Sequence, residues 1–193
     1  MSFQVRILGE KLLASGRFRL TLTSAEVTES DGVTRVLRHE IYHYGPAAAV
    51  LLYDPERACV LLVRQFRLAA YLAGAPQPMT EVCAGMLDDD APEACVIREA
   101  MEETGVSIPR AMHAFDAFMS PGGMTERISC FVAPYRPADR VGAGGGVDAD
   151  EHIENIERPF EEALAMIARG EICDAKTIAL LYFAKAQGLM PAR

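Results

Sequence analysis

Two runs, AAAVLLYD (47–54) and ACVLLVRQF (58–66), are almost wholly apolar, and only Pro55-Glu56-Arg57 separates them. Runs this short and this uniformly apolar read as strands buried on both faces. They therefore belong at the centre of a sheet that other elements cover on each side. The rest of the chain supplies candidates. RFRLTLTSAEV (17–27) and VTRVLRHEIYHYG (33–45) alternate as strands do, and SDGV (30–33) between them marks a hairpin turn. TEVCAG (80–85) is a short strand that follows a Gly/Pro loop at 71–79. Strand-like runs return at 112–118 and 127–133, and amphipathic helices are expected at 159–171 and 175–189. This order predicts an α/β or α+β sandwich rather than a repeated strand–helix–strand fold.

One helix is clearly punctuated. Asp90 is placed to cap it, with Glu93 three residues on, Pro92 in the first turn and Gly105 at the end. Ala94, Ile97 and Met101 make its expected apolar stripe. Glu99, Glu102 and Glu103 crowd onto one side, where like charges one turn apart repel by roughly 0.2–0.5 kcal/mol per pair. A carboxylate face of this kind suits Mg²⁺ or Mn²⁺, hard cations that prefer oxygen ligands. A solvated acidic surface is the alternative for the glutamates taken alone.

Composition narrows the function. The 193 residues carry a net charge of −8, which argues against a general nucleic-acid binder. No apolar run reaches the ~18 residues of a membrane span, and MSFQVRILGEKLLAS at the start lacks the apolar run of a secretion signal. The five cysteines are scattered singly, without a CxxC, and the four histidines show no metal spacing. Buried free thiols and a cytoplasmic location are expected.

Written as a pattern, residues 85–106 are G-x4-D-x7-R-E-A-x-E-E-x-G-V. This resembles the Nudix box, with Arg98, Glu99, Glu102, Glu103, Gly105 and Val106 in register. The loop after Gly85 is one residue shorter than the usual box, Asp90 stands where a glutamate is usual, and Ala100 replaces a larger aliphatic residue. LLVRQFR (61–67), SPGGMTE (120–126), AGGGVDADEHIE (143–154) and GEICDAKT (170–177) extend the likeness over nearly the full chain. It looks nearest to the GDP-mannose pyrophosphatase branch of the Nudix hydrolases, neighbours of the ADP-ribose pyrophosphatases.

The resemblance implies a Nudix α/β/α sandwich (46–193) behind an N-terminal antiparallel β subdomain (1–45), with that subdomain forming a homodimer. It implies Mg²⁺, with Mn²⁺ as a substitute, held by the Ala84 carbonyl, Glu99, Glu103 and Glu151. Glu151 is the first choice for general base, with Glu102 or Glu103 as alternatives. Arg67 and Lys176 would meet phosphates or sugar, with Arg38, Glu40, Glu126 and Asp150 as further substrate contacts. The implied reaction is Mg²⁺-dependent hydrolysis of the pyrophosphate bond of a nucleotide sugar, GDP-mannose giving GMP and mannose 1-phosphate. ADP-ribose or another ADP-sugar is the alternative substrate, and a non-catalytic nucleotide-sugar sensor the alternative role. Arg17 before Phe18, and His39 between Arg38 and Glu40, depart from the branch at places that touch nucleotide recognition. The triple glycine 144–146, with no G-K-[ST] after it, reads as a hinge rather than a phosphate loop.

Overall fold

The structure is a computed structural model and describes residues 2–147 and 152–191. The chain divides into two compact units, one of Met1–Pro46 with Phe118–Arg127 and one of Ala47–Ala117 with Ile128–Arg193.

The first unit is an antiparallel sheet in the order β1 (Phe3–Ser15), β2 (Arg19–Glu29) and β3 (Thr34–His43). The expected turn joins β2 to β3. Gly32 adopts φ 84°, its N–H reaches the Glu29 carbonyl at 2.9 Å, and Asp31 Oδ1 accepts from Val33 N at 3.0 Å. β1 lies in the segment 1–45 expected to be β, although the sequence marks no strand bounds for it. It pairs with β2 through two register shifts, at Ile7/Gly9 and Leu12/Ala14, which break the clean alternation by which a strand is recognised. Segment 118–127 joins this unit through Tyr42. Tyr42 N donates to the Gly123 carbonyl and its own carbonyl accepts from Thr125 N.

The second unit is an α/β/α sandwich. β4 (Ala47–Asp54) and β5 (Cys59–Gln65) are central, and their turn is closed by Asp54, which accepts from Glu56 N and Arg57 N. The two strands pair only over Leu52–Asp54 with Cys59–Leu61 and then separate. The stretch expected as one strand at 80–85 fills that fork as two. β6 (Met79–Glu81) pairs with β5, and β7 (Cys83–Met86) pairs with β4. β9 (Arg127–Pro134) lies parallel to β4 on its other side, with β8 (Met112–Phe118) beyond it, and β10 (Glu154–Pro159) flanks β5. Alternation along β4 sends Ala48, Val50 and Leu52 into a buried cluster with Val96 and Ala100 of α2 (Pro92–Thr104). The remaining β4 residues face the side where α3 (Phe160–Ala168) and α4 (Ala175–Ala186) pack. A further short helix, α1 (Leu68–Leu72), reaches into the expected 71–79 loop. Among the described residues, no helix is long and apolar enough to cross a membrane. Four cysteines are buried and Cys173 is exposed, all of them free.

Helix α2 departs from expectation at its start and in its facing. Ala91 is its N-cap, with no side-chain cap. The Asp90 carboxylate is taken instead by Arg98 Nε at 3.0 Å, and Glu93 accepts from Ala111 N. Pro92 has no N–H to satisfy, which reduces the need for a cap. The buried side is Cys95, Val96, Ala100, Glu103 and Thr104, while Ala94 and Met101 are exposed. The helix is thus rotated so that a carboxylate, rather than a third aliphatic side chain, points inward. Gly105 closes the helix in the left-handed region as expected, at φ 71°.

Candidate active site

The fork in the sheet determines where the acidic helix face lies. β7 runs beside the first half of β4, then loops directly into α2, so the backbone of 83–86 passes under the helix side chains. Gly85 permits this approach. A Cβ there would lie 1.9 Å from Glu99 Oε1, so the missing side chain is the space that the Glu99 carboxylate occupies.

Glu103 lies one turn further on and is 4% exposed. Its Oε2 accepts from Ala84 N at 3.2 Å, and the Cys83 thiol donates to the same carboxylate. Burial, opposed by the Cys83 hydrogen bond and reinforced by the Glu99 charge, pushes its pKa up to about 7. A buried carboxylate in that condition is short of positive charge. The groups at hand are mostly hard oxygens: the Glu103 and Glu99 carboxylates beside the backbone at Ala84. That set fits Mg²⁺ or Mn²⁺ and offers nothing to a soft ion except the Cys83 thiol, itself pushed well above its ordinary pKa by burial. Among the described residues, no three His, Cys, Asp or Glu side chains converge as a metal cluster.

Arg98 organises the outer edge. Its Nη1 donates to Glu99 Oε1 at 2.8 Å and to Glu102 Oε2 at 2.9 Å, and its Nε to Asp90. Glu102 is therefore half-buried and ion-paired, whereas Glu103 is buried and, among the described residues, has no cation at salt-bridge distance. Asp90 acts as an anchor for Arg98.

A second charge network borders this face. Arg67 forks onto Glu81, Nε to Oε1 at 2.8 Å and Nη2 to Oε2 at 3.1 Å. Lys176, itself buried, donates to Glu81 Oε2 at 2.6 Å and to Asp174 Oδ1 at 2.9 Å. Burial would raise the Glu81 pKa, but the Arg67 hydrogen bonds and the Lys176 charge outweigh it and hold the carboxyl below its ordinary range. Asp174 caps α4 through Thr177 N, and Thr177 Oγ1 accepts from Val82 N at 2.8 Å.

The glycine run is a clasp in the described residues. Gly145 N and Gly146 N donate to the Glu103 and Glu102 carbonyls at the end of α2, and Asn155 Nδ2 also donates to the Glu103 carbonyl. Gly144–Gly146 all adopt positive φ, and a Cβ on Gly144 would lie 2.4 Å from the Glu103 carbonyl oxygen. The glycines are needed for close approach to the helix end, so the hinge expectation is replaced by this anchoring role.

Ala84, Glu99, Glu102, Glu103, Arg67 and Lys176 thus fall within one unit. Arg38 and Glu40 stand two residues apart, and so on one face, on exposed β3, and Glu126 lies in the 118–127 segment of the same unit. Asp150 and Glu151 lie outside the described residues. Sequence reasoning missed Glu81, Asp174 and Asn155. The signal for Glu81 was a lone acid inside the apolar stretch MTEVCAG, and for Asp174 a capping residue just before AKT.

Residues 43–181 match the NUDIX domain family. A GDP-mannose pyrophosphatase of Enterobacter sp. (strain 638) is 44% identical over 193 residues, covering 98% of this chain and 100% of its own. Proteins of the same name from Cronobacter sakazakii and Klebsiella pneumoniae subsp. pneumoniae are each 46% identical over 98% of this chain, covering 100% and 96% of their own lengths.

Proposed function

The chain belongs to the NUDIX domain family, and from that premise we propose that it hydrolyses the pyrophosphate bond of a nucleotide sugar, GDP-mannose giving GMP and mannose 1-phosphate. The observation that carries the chemistry is the buried Glu103 carboxylate, which is one turn from the Glu99 carboxylate over Gly85 and has no salt-bridged cation among the described residues. The choice of substrate is supported by the shared name of relatives that match over nearly their whole length.

In this proposal Glu99, Glu103, the Ala84 carbonyl and Glu151 hold Mg²⁺, for which Mn²⁺ substitutes. Bound there, the cation supplies neutralisation of the diphosphate and activation of a water. Glu151 would take the proton of the water that attacks phosphorus as the bridging P–O bond breaks to release GMP and mannose 1-phosphate, with Glu102 or Glu103 as the alternative base. Arg98 orients Glu99 and Glu102 through the hydrogen bonds of its Nη1. Arg67 offers its exposed guanidinium to the diphosphate, and Lys176 adds its charge from behind Glu81. Arg38, Glu40, Glu126 and Asp150 contact nucleoside and sugar. We also propose a homodimer, in which residues 1–45 form a β subdomain and 46–193 the catalytic domain. Its support is apolar exposure: Phe3, Val5, Ile7 and Leu12 of β1 are all left to solvent in a single chain.

The test is turnover of GDP-mannose, GDP-glucose, ADP-ribose, ADP-mannose and NADH with Mg²⁺. GDP-mannose should be preferred, and EDTA should abolish turnover until Mg²⁺ or Mn²⁺ restores it. Full activity in excess chelator would remove the metal proposal, and a preference for ADP-ribose would remove the substrate.

A further inference from the structure

Arg67 and Lys176 are cations beside an acidic site, yet neither stands free. Both converge on Glu81, whose side chain is 3% exposed against 43% for Arg67 and 11% for Lys176. Asp174 completes the group, so two buried or partly buried acids balance two bases. An uncompensated carboxylate buried to this depth is strongly unfavourable, and an apolar residue in its place would serve packing as well or better. The arrangement calls for a reason other than stability.

The geometry points to one. We propose that Glu81 is a positioning residue for the diphosphate clamp. It holds the guanidinium of Arg67 in one plane by a two-point fork and is itself held by Lys176 and Asp174. This rests on the proposed phosphate role of Arg67. An arginine has five N–H donors, of which Glu81 takes two. Among the described residues, Arg67 Nη1 has no protein partner, and the side chain is substantially exposed. Without Glu81 the same guanidinium would be a mobile point charge at the end of a flexible stem, and it would repel Lys176. With Glu81 its free edge is fixed before any ligand arrives, which is how a planar clamp gains affinity for a phosphate.

The position of Glu81 in the chain supports the assignment. The segment 81–84 carries three attachments in sequence. The Glu81 side chain holds Arg67, Val82 N is held by Thr177 at the start of α4, and Ala84 N holds Glu103. Glu81 and Ala84 are three residues apart in nearly extended chain, about 10 Å. The short passage from β6 into β7 therefore sets the spacing between the clamp and the carboxylate face. Arg67 itself is tied at its backbone N–H by Gln77 Oε1 at 3.0 Å.

The experiment is a double-mutant cycle read by two observables: Kd for inorganic pyrophosphate with Mg²⁺, by calorimetry, and kcat and KM on GDP-mannose. Arg67→Ala and Glu81→Gln should each weaken pyrophosphate binding by about ten- to a hundredfold, and raise KM with kcat within a few-fold. The double variant should be no weaker than the worse single, because Glu81 acts only through Arg67. Additive losses, or unchanged affinity in Glu81→Gln, would overturn the proposal, as would a wild type that does not bind pyrophosphate. Should Glu81→Gln fail to fold, Glu81→Asp carries the same cycle, since a carboxylate one methylene shorter keeps the charge but loses the fork. Coupled Kd values in a protein inactive on every nucleotide sugar would retain the clamp and discard the proposed reaction.

Discussion

Glu103→Gln should make the metal-free protein more stable at alkaline pH while almost abolishing turnover. The magnitude follows from burial. The carboxyl is raised from an ordinary 4.5 to about 7, burial being the largest cause, with the Glu99 charge adding to it. Each pKa unit is worth about 1.4 kcal/mol, so the ionised side chain costs the fold roughly 3 kcal/mol. The sign is that of an acid whose folded pKa is raised. Between pH 4.5 and 7 the folded state holds the proton more tightly than the unfolded chain, so raising pH through that window destabilises the fold, and the cost is complete above 7. Asp54, Glu81 and Glu157 have the opposite shift and lose their contributions only on acidification below their ordinary range.

Glutamine has no charge to desolvate, and its carbonyl can still accept from Ala84 N, at the loss of about 1 kcal/mol of hydrogen bonding. The net gain should be roughly 2 kcal/mol, or about 4–8 °C in Tm for a chain of this size. Thermal melts at pH 5 and pH 8 in EDTA read it directly. The two proteins should agree within a few degrees at pH 5 and separate at pH 8. Added Mg²⁺ should raise the wild-type Tm at pH 8 and leave the variant nearly unmoved, since a ligand stabilises only the state that binds it. A wild-type Tm that is flat from pH 5 to 8, or a variant less stable than wild type at pH 8, would refute a buried, cation-seeking carboxylate.

Gly85→Ala should leave Tm within a few degrees, because the three atoms nearest its Cβ all belong to the flexible Glu99 side chain, yet lower kcat by about a hundredfold as that carboxylate is displaced; near-normal kcat would show that Glu99 need not sit over Gly85. Gly144→Ala should instead cost about 2–4 kcal/mol in urea melts, since its Cβ would strike backbone at Glu103 and Thr104 and its φ of 69° disfavours any side chain; an unchanged midpoint would mean that the clasp does not hold the helix end. Light scattering should give twice the 21.0 kDa chain mass, and removal of residues 1–45 should leave an insoluble or inactive remainder; a fully active monomer would refute the dimer.

The central strands, α2 and the three glutamates were legible because each rests on local chemistry. Uniform apolar runs have no place but the interior, and a left-handed glycine ends a helix wherever it stands. The α/β/α layering of the second unit follows from the same features. What local pattern could not supply was rotation and pairing. Of the stripe Ala94, Ile97, Met101 only Ile97 packs against the core, and the other two give way to a face that turns Glu103 inward beside Ala84. Asp90 looks like a cap, yet a guanidinium eight residues on competes for its carboxylate. In each case a charged partner beyond the first helical turn decides against the local preference.

The same cause explains why Glu81 was not singled out from the sequence while Arg67 and Lys176 were. Motif resemblance singles out groups that would meet a ligand, and it is silent on groups that meet only those groups. Glu81 is fourteen residues from Arg67 and ninety-five from Lys176, and the fork between β4 and β5 is what joins them. That fork exists because a buried hairpin opens after three residue pairs and admits the segment leading to the acidic helix. A sheet whose two central strands stayed paired would have no room for 79–86 between them. The Ala84 backbone would then lie away from Glu103, and Glu81 away from Arg67. The split in the sheet, more than any single carboxylate, is what brings the buried Glu103 beside Ala84 and the Glu81–Arg67 fork into the same short stretch of chain.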